Sequence, residues 1–68
     1  MIAKHRKTIG ERIREARQGA NLTQFELGEK VGVRPGEVSD WERGDHIPSV
    51  VSLHKIAVSL GVSMDSLV

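Results

Sequence analysis

Residues 22–44 read Leu22-Thr23-Gln24-Phe25-Glu26-Leu27-Gly28-Glu29-Lys30-Val31-Gly32-Val33-Arg34-Pro35-Gly36-Glu37-Val38-Ser39-Asp40-Trp41-Glu42-Arg43-Gly44. Thr23-Gln24-Phe25-Glu26 is a capping box: a hydroxyl residue and, three positions on, a carboxylate, each able to accept the other's free backbone N–H. Leu22 precedes it, where a hydrophobic staple sits. Leu27 and Val31 recur four apart on one helical face. Gly32 then stops the helix, because glycine enters the left-handed region without a steric penalty. Arg34-Pro35-Gly36-Glu37 opens a second helix, with Pro35 at the first position, where its missing N–H costs nothing. Val38 and Trp41, three apart, face inward together, and Gly44 ends the segment.

The flanks continue in the same style. Thr8-Ile9-Gly10-Glu11 is another capping box, followed by Ile9, Ile13 and Ala16 on one face and a stop near Gly19-Ala20-Asn21. Ser49, after Pro48, caps a helix whose Leu53, Ile56, Ala57 and Leu60 fall at i, i+3, i+4 and i+7. Gly61 ends it, and Ser63 caps a last short segment carrying Met64 and Leu67. No stretch alternates with period two. The expected fold is all-α, a compact domain of five short helices. With 68 residues, 38% of them hydrophobic, the chain holds one small core at most. It has no cysteine, which excludes a disulfide staple or a thiolate metal site and leaves the cytoplasm as the expected location. No apolar run is long enough to span a bilayer, and the basic start is not followed by the apolar stretch of a signal peptide.

Net charge is only +1, but it is unevenly spread. Residues 1–20 carry Lys4, Arg6, Lys7, Arg12, Arg14 and Arg17 against Glu11 and Glu15, a balance of +4. Residues 21–68 carry four positive against seven negative side chains, a balance of −3. The N-terminal third is therefore a candidate anion-binding face, or simply a solvated helix behind a basic leader.

Only Val31-Gly32-Val33 separates the second helix from the third, and two short helices joined so tightly make a helix-turn-helix, whose second member can lie in the DNA major groove. The order and spacing of Leu22-Thr23-Gln24, Leu27, Val31-Gly32-Val33, Ser39-Asp40-Trp41-Glu42-Arg43-Gly44, Pro48-Ser49 and Ala57-Val58-Ser59-Leu60-Gly61-Val62-Ser63 resemble the lambda-repressor-like family, the helix-turn-helix of phage repressors and Cro proteins. The resemblance covers residues 8–68 and leaves residues 1–7 as a basic N-terminal arm. It implies a five-helix domain that binds double-stranded DNA by sequence, commonly as a homodimer on a palindromic operator, in the service of transcription regulation.

The resemblance also places the contacts. Thr23 and Gln24 fall at the start of the second helix, where the family's Gln bonds a phosphate oxygen and braces the recognition helix; free N–H groups and the dipole make such a helix end anion-friendly. Arg34, Pro35, Gly36, Glu37, Ser39 and Asp40 fall on the third helix, and Arg43 at its end is a phosphate contact. Arg17 and Glu42 match an ion pair between the first and third helices, a structural support and not a base contact. The third helix departs from the usual pattern: across residues 33–45 Arg34 and Arg43 meet Glu37, Asp40, Glu42 and Asp45. A base readout is still available, with Arg34 bidentate to guanine, Asp40 accepting from a cytosine amino group and Gly36 admitting the backbone closely.

Other classes fare worse. His5, His46 and His54 share no metal-ligand spacing; Glu42, Asp45 and His46 offer at best a weak chelate. No phosphate-cradling loop or nucleophile–base pair is present, so neither an enzyme nor a cofactor is expected. The alternative is a protein-interaction module on the same fold, an adaptor, an antitoxin-like subunit or a docking domain. Its support is the acidic third helix and Phe25, which either packs on the first helix or marks a protein contact. Trp41 is read as core. Val62, Met64 and Leu67 are candidates for a dimer surface or for packing within the monomer.

Overall fold

A computed structural model describes residues 7–68. Four α-helices follow one another: α1 Ile9–Gly19, α2 Gln24–Val31, α3 Pro35–Arg43 and α4 Val50–Leu60. Both capping boxes close reciprocally. Glu11 N–H donates to Thr8 Oγ1 at 3.1 Å and Thr8 N–H to Glu11 Oε1 at 2.8 Å; Glu26 and Thr23 exchange the same pair of bonds at 3.0 and 2.8 Å. Each cap satisfies two of the N–H groups that a helix start leaves open. At the other ends Gly32, Gly44 and Gly61 take φ of 81°, 85° and 69°. After α1 the left-handed residue is Asn21, φ 59°, while Gly19 stays helical.

The expected fifth helix is a single 3-10 turn, Met64–Leu67. Four residues cannot build an i→i+4 ladder. Ser66 N–H instead bonds the carbonyl of Ser63, 3.1 Å away, and Ser63 Oγ caps the same N–H at 3.3 Å. What holds this turn is Leu67, which is wholly buried.

The core is Ile13, Leu27, Val31, Val38, Trp41, Leu53, Ile56, Ala57 and Leu67, one contiguous cluster fed by every element. Trp41 belongs to it. Val62 and Met64 pack half-buried against it, so with Leu67 they serve the monomer's interior. α3 packs on both α1 and α2, and α4 lies against α2. Phe25 is 56% exposed and is not part of the buried core; Ile47, Val50, Val51 and Val58 are also exposed. Among the described residues no helix is long and apolar enough to cross a membrane.

Two helical glycines set how closely these elements approach. A Cβ at Gly10 would lie 2.2 Å from the carbonyl oxygen of Trp41 and 2.8 Å from that of Glu42, so the first turn of α1 rests directly on the end of α3. A Cβ at Gly28 would lie 2.7 Å from the carbonyl oxygen of Val33, so α2 rests on the connection into α3. Neither position was singled out by the sequence pattern. The available signal is that a glycine inside a helix costs up to about 1 kcal/mol relative to alanine and asks for a packing reason.

Candidate nucleic-acid interface

α3 is held at a fixed attitude by a polar joint at its C-terminal half. Arg17 on α1 reaches Glu42 bidentately, Nε to Oε2 at 2.6 Å and a terminal nitrogen to Oε1 at 3.0 Å. Its other terminal nitrogen donates to the Leu22 carbonyl at 2.8 Å. Gln24 Nε2 at the start of α2 donates to Glu42 Oε1 at 3.1 Å. One carboxylate on α3 thus ties α1, the α1–α2 connection and α2 together. The two charged side chains are only 11% and 4% exposed. The hydrogen bond to Glu42 holds the Arg17 guanidinium above its ordinary pKa, against the opposing effect of burial and with the carboxylate's charge adding to the rise. Because the folded-state pKa is raised, this contribution is present below the ordinary arginine value as long as Glu42 is ionised, and on the alkaline side it is lost only in strong alkali.

The first turn of α3 is open. Arg34 is its N-cap residue and makes no side-chain cap bond. It is exposed, as are Pro35, Gly36 and Glu37. Among the described residues Arg34 enters no ion pair, whereas Arg17 and Arg43 both do. A Cβ at Gly36 would meet nothing within 4 Å, which leaves a bare strip of backbone beside Arg34.

The far end of α3 is different. The Arg43 guanidinium donates to Ser39 Oγ, Asp40 Oδ1 and Asp45 Oδ2. His46 Nδ1 lies 3.4 Å from the other oxygen of Asp40. Thr23 Oγ1 is taken up by its own helix start. Apart from Thr23, the sequence-based site residues therefore fall into three groups: an open one (Arg34, Pro35, Gly36, Glu37), a joint (Gln24 with Arg17 and Glu42) and a closed network (Ser39, Asp40 and Arg43). Asp45, a member of that network, was missed as a partner of Arg43, because only the Gly44 turn folds it back. Lys4, His5 and Arg6 of the arm lie outside the described residues; Lys7 pairs with Glu15 at 2.5 Å.

Among the described residues no three His, Asp or Glu side chains group to hold a metal. A cavity of about 220 Å³ opens between the start of α1 and the α3–α4 connection, lined mainly by Ile9, Trp41, Ile47 and Pro48. It falls below the usual ligand-site range of ~300–1,000 Å³.

A helix-turn-helix family model matches residues 13–67, most of the chain and all three residues of the joint, Arg17, Gln24 and Glu42. The chain belongs to the lambda-repressor-like helix-turn-helix family. Among curated relatives, this helix-turn-helix chain is 34% identical over 61 residues to the immunity repressor protein of Bacillus phage phi105, covering 90% of the chain and 42% of that protein. It is 40% identical over 57 residues to multiprotein-bridging factor 1 of Candida albicans, covering 84% of the chain and 38% of that protein. The chain thus spans about two fifths of the length of these relatives. Among solved structures it is similar to the P22 c2 repressor in complex with a synthetic operator, with a TM-score of 0.86 and 35% identity over 91% of this chain and 94% of that one.

Proposed function

We propose that this chain is a sequence-specific double-stranded DNA-binding domain of a transcriptional regulator of the repressor type, with α3 in the major groove. The observation that carries the reading is the open first turn of α3: an exposed Arg34, without an ion pair among the described residues, beside bare backbone at Gly36, on a helix held by the Arg17–Glu42–Gln24 joint. A guanidinium with a free fork suits guanine O6 and N7, and a helix without a Cβ at Gly36 can approach a groove wall closely. Thr23 and Gln24 at the start of α2 sit where backbone N–H groups meet phosphate. The phi105 and P22 relatives are both named as repressors. In this reading a homodimer places two α3 helices about one helical turn, ~34 Å, apart on a palindromic operator, and the arm of residues 1–7 adds phosphate contacts.

The test is selection from a randomised duplex library at low and physiological salt. A two-fold symmetric motif is the expected result. Retention of no duplex even at low salt would reject the reading and favour the second one, a protein-interaction module. That alternative draws on the exposed Phe25 and on the name of the yeast bridging factor.

Two substitutions sharpen the first reading. Arg34→Ala is expected to lose about 1–3 kcal/mol of discrimination at one base pair of the motif while non-specific affinity changes little. Competition between the selected duplex and its single-base variants measures this. Gly36→Ala has room in the free protein. Its melting temperature is therefore expected to hold or rise, since alanine gains up to ~1 kcal/mol over glycine in a helix, while operator affinity falls. Equal binding by both proteins would show that the backbone at Gly36 stays clear of the groove.

A further inference from the structure

The end of α3 presents a cation that is already spoken for. Gly44 turns the chain back with φ 85°, and the N–H of Asp45 donates to the Asp40 carbonyl at 2.9 Å. That fold-back sets the Asp45 carboxylate against Arg43, Nε to Oδ2 at 3.0 Å. Asp40 takes one terminal nitrogen of the same guanidinium and Ser39 the other. One guanidinium between two carboxylates leaves the group at −1. Sequence-independent DNA binding is driven by cations that displace counterions from phosphates. A cation held inside a net-negative group cannot contribute to it without first leaving its partners.

We propose that Asp45, acting with Asp40, is a specificity-determining residue that withholds Arg43 from non-specific phosphate binding. This rests on the DNA-binding reading above. On random duplex nothing repays the separation of Arg43 from Asp45. On the operator, Arg34 and the α2 start fix the register and bring a phosphate to Arg43. The partners there are exposed, Arg43 to 57% and Asp45 to 58%, and an exposed pair is weak enough to be displaced. Asp45 therefore lowers affinity for the wrong DNA more than for the right one.

The experiment is fluorescence anisotropy at one fixed pH, because His46 faces the second oxygen of Asp40. The probe is a random-sequence duplex of fixed length, titrated between 50 and 300 mM salt with wild type, Asp45→Asn, Arg43→Ala and the double variant. Both substituted sites are on the surface, and thermal melts confirm folding. Asp45→Asn is expected to bind random duplex up to about eightfold more tightly at 0.1 M salt, with a salt slope steeper by up to about 0.9, the limit set by one further phosphate neutralised while Asp40 still competes for Arg43. Arg43→Ala is expected to stay within about twofold of wild type on the same probe, and the double variant to lose the gain. On the duplex recovered by selection, Asp45→Asn changes affinity less than on random duplex, so the specificity ratio falls. Unchanged slopes for Asp45→Asn would overturn the proposal. So would a gain that persists without Arg43, since that is only a change of net charge. Failure of the wild type itself to bind any duplex at 50 mM salt would overturn the DNA-binding reading and this inference with it.

Discussion

Gly10→Ala is expected to lower the melting temperature of the domain by roughly 12–24 °C, the equivalent of about 3 kcal/mol in a domain of this size. Helix propensity alone predicts the opposite sign, a gain of up to about 1 kcal/mol. The clash decides. The added methyl would lie 2.2 Å from the Trp41 carbonyl oxygen and 3.0 Å from the Glu42 carbonyl carbon, all backbone atoms that cannot rotate aside. Relief requires α1 to lift from α3 by about 1 Å, and that opens the contacts of Ile13 and Trp41 on the same face. Overpacking usually costs ~1–3 kcal/mol, and a rigid backbone neighbour puts this case at the top of that range. Against a total of ~3–10 kcal/mol for 68 residues, the loss is a large share of the fold's stability. Circular dichroism melts of Gly10→Ala beside Gly36→Ala provide the check. The two changes are chemically identical; one meets backbone and the other nothing. Equal melting temperatures would mean that α1 and α3 do not approach as closely as described.

That contrast marks where the sequence was legible. Helix boundaries were, because their causes are local: Thr8 and Thr23 with their partners three residues on, Pro35 at a first turn, Gly32, Gly44 and Gly61 at the stops. The 3-10 turn at Met64–Leu67 was read as a helix because a capping serine starts both, and four residues differ from a longer segment only in how far the ladder can run. The roles of Gly10 and Gly28 depend on atoms of another element and leave no periodic trace. Phe25 follows the same rule: α2 carries its buried Leu27 and Val31 with or without it, and its exposure is a property of the packed fold. In the candidate site, the location of Arg34 and Gly36 at the exposed start of α3 follows from position alone. The closed state of Arg43 could not, because a charge count over residues 33–45 says that acids outnumber bases and not which acid folds back onto which base.

Glu42→Ala is expected to cost about 3 kcal/mol, at the lower end of the range for breaking a buried ion pair. The variant leaves the Arg17 guanidinium, 11% exposed, with the Leu22 carbonyl as its remaining partner, and leaves the Gln24 amide without its acceptor. Most of the cost is the stranded charge and not the lost attraction, and a double variant distinguishes the two. Arg17→Met combined with Glu42→Leu removes the charge as well as its partner, and such replacements are often neutral. The double variant is therefore expected to recover to within ~1 kcal/mol of the native protein, far from additive with the single changes. Chemical denaturation of the two single variants and the double one measures the coupling; additive losses would show that Arg17 and Glu42 act through separate contacts. Operator binding should not recover in step. Aliphatic side chains can fill the space but cannot reproduce a bidentate fork plus the Gln24 bond, which together fix α3 against α1 and α2. Base readout needs the open turn at Arg34 held in register to within fractions of an ångström, so a stable double variant with weakened operator affinity is the expected outcome. Full recovery of both stability and affinity would assign the attitude of α3 to the glycine contacts at Gly10 and Gly28 alone.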